Sequence, residues 1–220
     1  MHARKREHIE GIHGSESASN GWRDIENKFE VELGIKFPNI FPKIKNDGKE
    51  IKREFINGTN LHDVLKRSKV PISVGLNATL VVVEQLKEIY ESGYIVGDRN
   101  GYNIFLQGLD SVNDYNEASE YPVRQTDVED MFVQQVENNR LSSDNWDLLI
   151  NSCITLLINI REALNLRINL DRDSDIPYMN LFYLVEDKID DFTDKLGTPG
   201  EGESLFSDLE SFLNELLKSV

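Results

Sequence analysis

The residues best suited to chemistry lie in one polar loop, Gly97-Asp98-Arg99-Asn100-Gly101-Tyr102-Asn103, held between the apolar runs Tyr94-Ile95-Val96 and Ile104-Phe105-Leu106. Asp98 and Asn103 form its working pair. A hydroxyl nucleophile needs a carboxylate to orient it and accept its proton, and a transferred phosphoryl group needs a metal ion held by oxygen ligands nearby. An Asp and an amide on one fixed loop can supply both. As a bare pattern, an Asp followed five places on by an Asn arises by chance about once in every couple of chains of this length. The weight therefore rests on context, beginning with a second carboxylate, Asp127, at the end of the strand candidate Val123-Arg-Gln-Thr-Asp-Val128.

The elements that must position these residues follow from period and punctuation. Trp22, Ile25, Phe29 and Leu33 recur at spacings of three and four, which predicts an amphipathic helix closed near Gly34 and carrying Glu26 and Glu30 one turn apart. Lys43 to Ile56 reads as a β-hairpin about the turn signal Asn46-Asp-Gly48. Gly58 to Leu65 reads as a turn into a short helix capped by Thr59 or Asn60. A longer helix starts at Pro71-Ile-Ser73 and shows one apolar face, Leu76, Leu80, Val83, Leu86, Ile89 and Tyr90, as far as Gly93. Beyond an acidic loop from Gly108 to Tyr121 the chain reads as helical over Asp144 to Leu166, Leu181 to Leu196 and Ser204 to Leu217, with Gly197-Thr-Pro-Gly200 breaking the last two. The order predicts an α+β fold of two unequal lobes.

Composition bounds the function. The chain has 220 residues, 39% of them hydrophobic and 29% charged, which suits one globular domain or one small two-lobed one. No apolar run reaches the roughly 18 residues of a membrane span, and the charged start Met1-His-Ala-Arg-Lys-Arg lacks a secretory apolar stretch. A single Cys excludes an intrachain disulfide or a Cys-built zinc site, and the expected compartment is the cytoplasm. The net charge of −15 disfavours nucleic acid and anionic membranes as partners. It is unevenly spread: residues 1–70 hold 14 Lys and Arg against 11 Asp and Glu, and the remainder 10 against 28. Such an asymmetry suits an anionic ligand held with a divalent cation between the two parts, though a solvated acidic helical surface explains it more simply.

On these residues the chain resembles the protein-kinase-like superfamily, whose catalytic loop carries an Asp followed five residues later by an Asn. Gly97-Asp98 is similar to the Gly-Asp form of small-molecule and atypical kinases. Asp127 stands where the family places its metal-binding Asp. Ile51-Lys-Arg-Glu54-Phe-Ile56-Asn-Gly58 resembles the segment linking the two lobes, and Asp144-Asn-Trp146 resembles the start of the helix beneath the catalytic loop. The resemblance covers about residues 22 to 166. It implies a kinase-like α+β fold with a reduced amino-terminal lobe and hinge over 1–57 and a mainly helical carboxy-terminal lobe over 58–220. It also implies an ATP- and Mg²⁺-dependent phosphotransferase of unknown acceptor. Asp98 would be the catalytic base, Asn103 and Asp127 the metal ligands, and the backbone at Glu54 and Ile56 the adenine contact.

The departures are as specific. A Gly-rich phosphate loop and a Lys strand should precede the first helix, and Met1 leaves no room for the loop. Lys5, within Arg4-Lys5-Arg6, is the candidate phosphate ligand and Glu26 its candidate partner, with Glu30 nearly as well placed. A disordered basic start explains the same residues. Glu129 stands where the family has Gly, and so either adds a metal ligand or stiffens a segment that usually moves. The short interval from Asp127 to Asp144 argues against a phosphorylated activation loop. The rival reading is a degenerate kinase-like scaffold that binds nucleotide or a protein partner without transferring phosphate.

Other candidates have plainer explanations. His2, His8 and His13 read as surface histidines, His62 as an exposed helix residue, and Cys153, Trp22 and Trp146 as core packing. Asp171-Arg-Asp173-Ser-Asp175 lacks the Gly and Glu of a calcium loop. Glu186, Asp187, Asp190 and Asp191 read as a solvated face.

Overall fold

The computed structural model describes residues 29–46, 51–97, 99–126, 133–136, 141–170 and 175–220. Residues 29–36 are helical and form α1, which runs past Gly34. A Cβ at Gly34 would stand 2.6 Å from the Pro42 carbonyl oxygen, so this glycine serves a close approach of the chain. Backbone bonds from Phe37 to Leu33 and from Phe41 to Phe37 then fold the chain back, which buries Phe37, Ile40 and Phe41.

Strands β1 (Ile44–Asn46) and β2 (Ile51–Arg53) pair antiparallel with Ile44 opposite Arg53, in keeping with the hairpin; residues 47–50, which hold part of the expected turn, lie outside the described set. The short helix is preceded by more than a turn. Gly58–Asn60 forms β3, which joins β5 (Ile104–Gln107) and β6 (Val123–Gln125) in an antiparallel sheet ordered β3-β5-β6. Helix α2 (Leu61–Lys66) is capped by Asn60, whose side-chain oxygen accepts from the Asp63 N–H at 2.8 Å. At its other end the buried Arg167 donates through Nη2 to the carbonyls of Leu65, Arg67 and Val70 at 3.3, 3.0 and 2.7 Å. That single guanidinium satisfies carbonyls the short helix leaves open.

Helix α3 (Ile72–Glu91) leads into β4 (Tyr94–Val96), which pairs antiparallel with β7 (Val133–Gln135), a strand with no signal in the sequence. The remaining helices are α4 (Ser143–Leu170), α5 (Asp175–Thr193) and α6 (Gly202–Lys218). Among the described residues the fold is thus α+β, with six α-helices and small antiparallel sheets. Helix α5 starts at Asp175, six residues before Leu181, where the expected helix began. Helix α6 buries Leu205, Phe206, Leu209, Leu213 and Leu216 and packs on α3, while α4 packs along α5. Each fully buried Leu contributes about 1.5–3 kcal/mol. Cys153, Leu156, Leu157 and Ile160 of α4 join the same core. No helix among the described residues is long and apolar enough to cross a membrane.

Candidate functional site

The 97–103 loop leaves β4 and enters β5 through a 3₁₀ turn, Gly101–Asn103, and α4 runs against it. Ser152 of α4 donates to the Val96 carbonyl at 3.2 Å, and Asn159, two turns on, accepts from the Gly101 N–H at 3.2 Å. The two ends of the loop are thereby tied to one rigid helix. Gly101 leaves no space for a side chain, since a Cβ there would stand 2.9 Å from both Asn159 Oδ1 and the His62 backbone nitrogen. Asn100 caps the 3₁₀ turn by accepting from the Tyr102 N–H at 3.0 Å.

Arg99 is fully buried within the loop. Its Nε donates to the Gly97 carbonyl at 2.8 Å and its Nη1 to Gln125 Oε1 at 3.3 Å. Gln125, also fully buried, donates from its backbone to the Ile40 carbonyl at 2.7 Å and from Nε2 to Gln85 Oε1 at 2.8 Å. One polar chain therefore links the loop, β6, α3 and the turn after α1. Next to it, the Asn103 carbonyl accepts from the Thr126 N–H at 2.7 Å. The side-chain amide of Asn103 is half-buried and has no hydrogen-bond partner among the described residues.

The segment after β2 is held by Arg124 of β6, which donates to the Phe41 carbonyl at 2.8 Å and to Glu54 Oε2 at 3.2 Å. Glu54 also accepts from the Lys43 N–H at 3.0 Å. That backbone bond, with Arg124 assisting, holds the Glu54 carboxyl below its ordinary value of 4.5. The Glu54 N–H is used by the Lys43 carbonyl, whereas the Glu54 carbonyl and the Ile56 N–H make no hydrogen bond among the described residues. Between them Phe55 points to solvent, and Ile56 is buried.

Of the expected site residues, Glu54, Ile56 and Asn103 are described, whereas Lys5, Glu26, Asp98 and Asp127 lie outside the described residues, as do Glu129, His2, His8 and His13. Glu30, the alternative partner for Lys5, is buried and bonded to Arg53 at 2.7 Å. Among the described residues no three His, Cys, Asp or Glu side chains are grouped as metal ligands. His62 is a correction: it is buried, not exposed, because Tyr102 covers it. Its Nε2 lies 2.6 Å from the Tyr102 hydroxyl, and the rings stack with centroids 3.9 Å apart. Burial, helped by Lys66, pushes the His62 imidazole below its ordinary value of 6.5, against the opposing pull of Asp63 and Glu162. Sequence reasoning also passed over Arg99 and Gln125, whose partners are remote in the chain. No protein-family model matches the chain, and no curated protein matches it.

Proposed function

We propose that the chain is an ATP- and Mg²⁺-dependent phosphotransferase of the protein-kinase-like type, with an acceptor still to be identified. The observation that carries this reading is the Thr126 N–H to Asn103 carbonyl bond of 2.7 Å. It brings the end of the Asp98 loop alongside the residue that immediately precedes Asp127. Antiparallel pairing of β5 with β6 and of β4 with β7 supports the same convergence. The uncommitted amide of Asn103 fits a hard cation, which takes oxygen ligands. The open Glu54 carbonyl and Ile56 N–H, two residues apart, fit the donor and acceptor edge of a purine.

In this reading Asp98 orients the acceptor hydroxyl and takes its proton, while Asn103 and Asp127 hold Mg²⁺ on the phosphates. The bound metal would supply charge neutralisation at the transferred group. The bonds from Ser152 and to Asn159 keep the loop in one pose, so that orientation need not be regained at each turnover. The rival reading, a nucleotide-binding scaffold without transfer, draws on the bond that already engages Glu30 with Arg53.

Calorimetric titration of ATP into the full chain, with and without Mg²⁺, tests the proposal. The expected result is metal-dependent binding that Asp127→Asn abolishes and Asp98→Asn preserves. Binding that ignores Mg²⁺ and survives Asp127→Asn would favour the scaffold. Failure to bind any nucleotide at millimolar concentration would overturn the phosphotransferase reading.

A further inference from the structure

The contact between His62 and Tyr102 lies at the loop and is left unused by the proposed chemistry. Tyr102 is 56% exposed, yet its ring stacks on a buried imidazole at an interplanar angle of 29° and its hydroxyl is bonded to Nε2 at 2.6 Å. An exposed aromatic side chain gains little from burial, so ordering it needs specific contacts. His62 belongs to α2, the helix that follows β3, and Tyr102 to the loop, immediately before Asn103. The same two elements also meet through the backbone, where Gly101 lies against His62 without room for a Cβ.

We propose that the His62–Tyr102 pair is a positioning clamp, which locks the 99–103 loop to α2 and so holds Asn103 in place for the cation. This rests on the phosphotransferase reading for its functional consequence, but the mechanical part stands on the contacts alone. In the neutral tautomer that leaves Nε2 without a proton, His62 accepts from the Tyr102 hydroxyl. The groups facing it are Asp63 and Lys66 on its own helix, Glu162 on α4 and Tyr102 on the loop. Lys66 and Glu162 are themselves 3.8 Å apart, which balances charge around the imidazole. Because folding disfavours the protonated ring, the unfolded chain binds the proton more readily. The clamp is therefore at full strength above about pH 6.5 and weakens as the pH falls below it.

Amide hydrogen exchange on the full chain tests the clamp, comparing the native protein with Tyr102→Phe, which keeps the ring and removes the hydroxyl, and with His62→Gln. The Asn103 and Thr126 amides are expected to exchange at least tenfold faster in Tyr102→Phe at pH 7, with α6 amides unchanged. Their protection in the native protein should fall below pH 6.5, whereas in His62→Gln it should not change with the same midpoint. A parallel titration should give a Kd for Mg²⁺–ATP at least tenfold weaker in Tyr102→Phe. Exchange accelerated less than tenfold, or accelerated equally in α6, would overturn the clamp. So would faster exchange beside an unchanged Kd, since the loop would then not carry the site. If the native protein binds no Mg²⁺–ATP, the phosphotransferase reading fails and the exchange result alone decides the clamp.

Discussion

Cys153 is the only cysteine of the chain, and it lies fully buried on α4 next to Ser152, the residue that anchors the loop. Burial pushes its thiol from 9.0 up to about 12. At pH 8 an ordinary thiol is about one-tenth ionised, and one with this value about one part in ten thousand, so the reactive thiolate is depleted roughly a thousandfold. Steric exclusion adds to this, because no reagent reaches a side chain without exposure unless α4 opens. For a domain of ordinary stability, about 5–15 kcal/mol, labelling through global opening is slower than in the unfolded chain by at least about 10³. The assay is alkylation of the native protein at pH 8, followed by mass spectrometry over a urea series below the unfolding transition. The logarithm of the rate should rise linearly with urea, at the slope of global unfolding. On the proposed phosphotransferase reading, Mg²⁺–ATP at about a hundredfold above its Kd should slow the reaction a further hundredfold, as expected of a ligand that binds only the folded state. Labelling within tenfold of the unfolded rate, indifferent to urea, would refute the placement of α4 in the core. The raised value also sets a sign: the thiol contributes stability that is complete below pH 9 and lost as the pH rises from there toward 12.

Other perturbations separate the loop from its supports. Gly101→Ala forces a methyl group against the His62 backbone and Asn159, and should cost about 1–3 kcal/mol in urea denaturation while weakening Mg²⁺–ATP binding more than Ser219→Ala does. Arg167→Met leaves the carbonyls of Leu65, Arg67 and Val70 without their donor, and should cost about 2–4 kcal/mol by thermal or chemical unfolding. Glu54, held below 4.5, contributes stability that is present above its ordinary value and lost as the pH falls through the lower folded one; Glu54→Gln should flatten that acid limb of the Tm profile, with a smaller difference in high salt because the carboxylate is partly exposed.

Patterns confined to a dozen residues were legible without the structure. The spacing of Leu76, Leu80, Val83, Leu86 and Ile89 specified α3, and the stripe from Leu205 to Leu216 specified α6, because an amphipathic period needs only its own residues to be recognised. The loop between Val96 and Ile104 was visible for the same reason, as polar residues interrupting two apolar runs. Strands of three residues are too short to show alternation, so β3 and β7 emerged only from their partners, Phe105 to Gln107 and Tyr94 to Val96. The helix expected to close near Gly34 ends at residue 36, but the close approach that requires a glycine there depends on where Pro42 returns.

The sequence by itself determined the long helices, the hairpin and the local order of chemically competent residues, since each is encoded by neighbours along the chain. Tertiary structure alone decided the fate of the polar side chains. Arg99 and Gln125 are buried because they meet each other 26 residues apart, and His62 because Tyr102 arrives from 40 residues away. A buried polar group is tolerable only where a partner satisfies it, and such partners come from contacts that no local pattern carries.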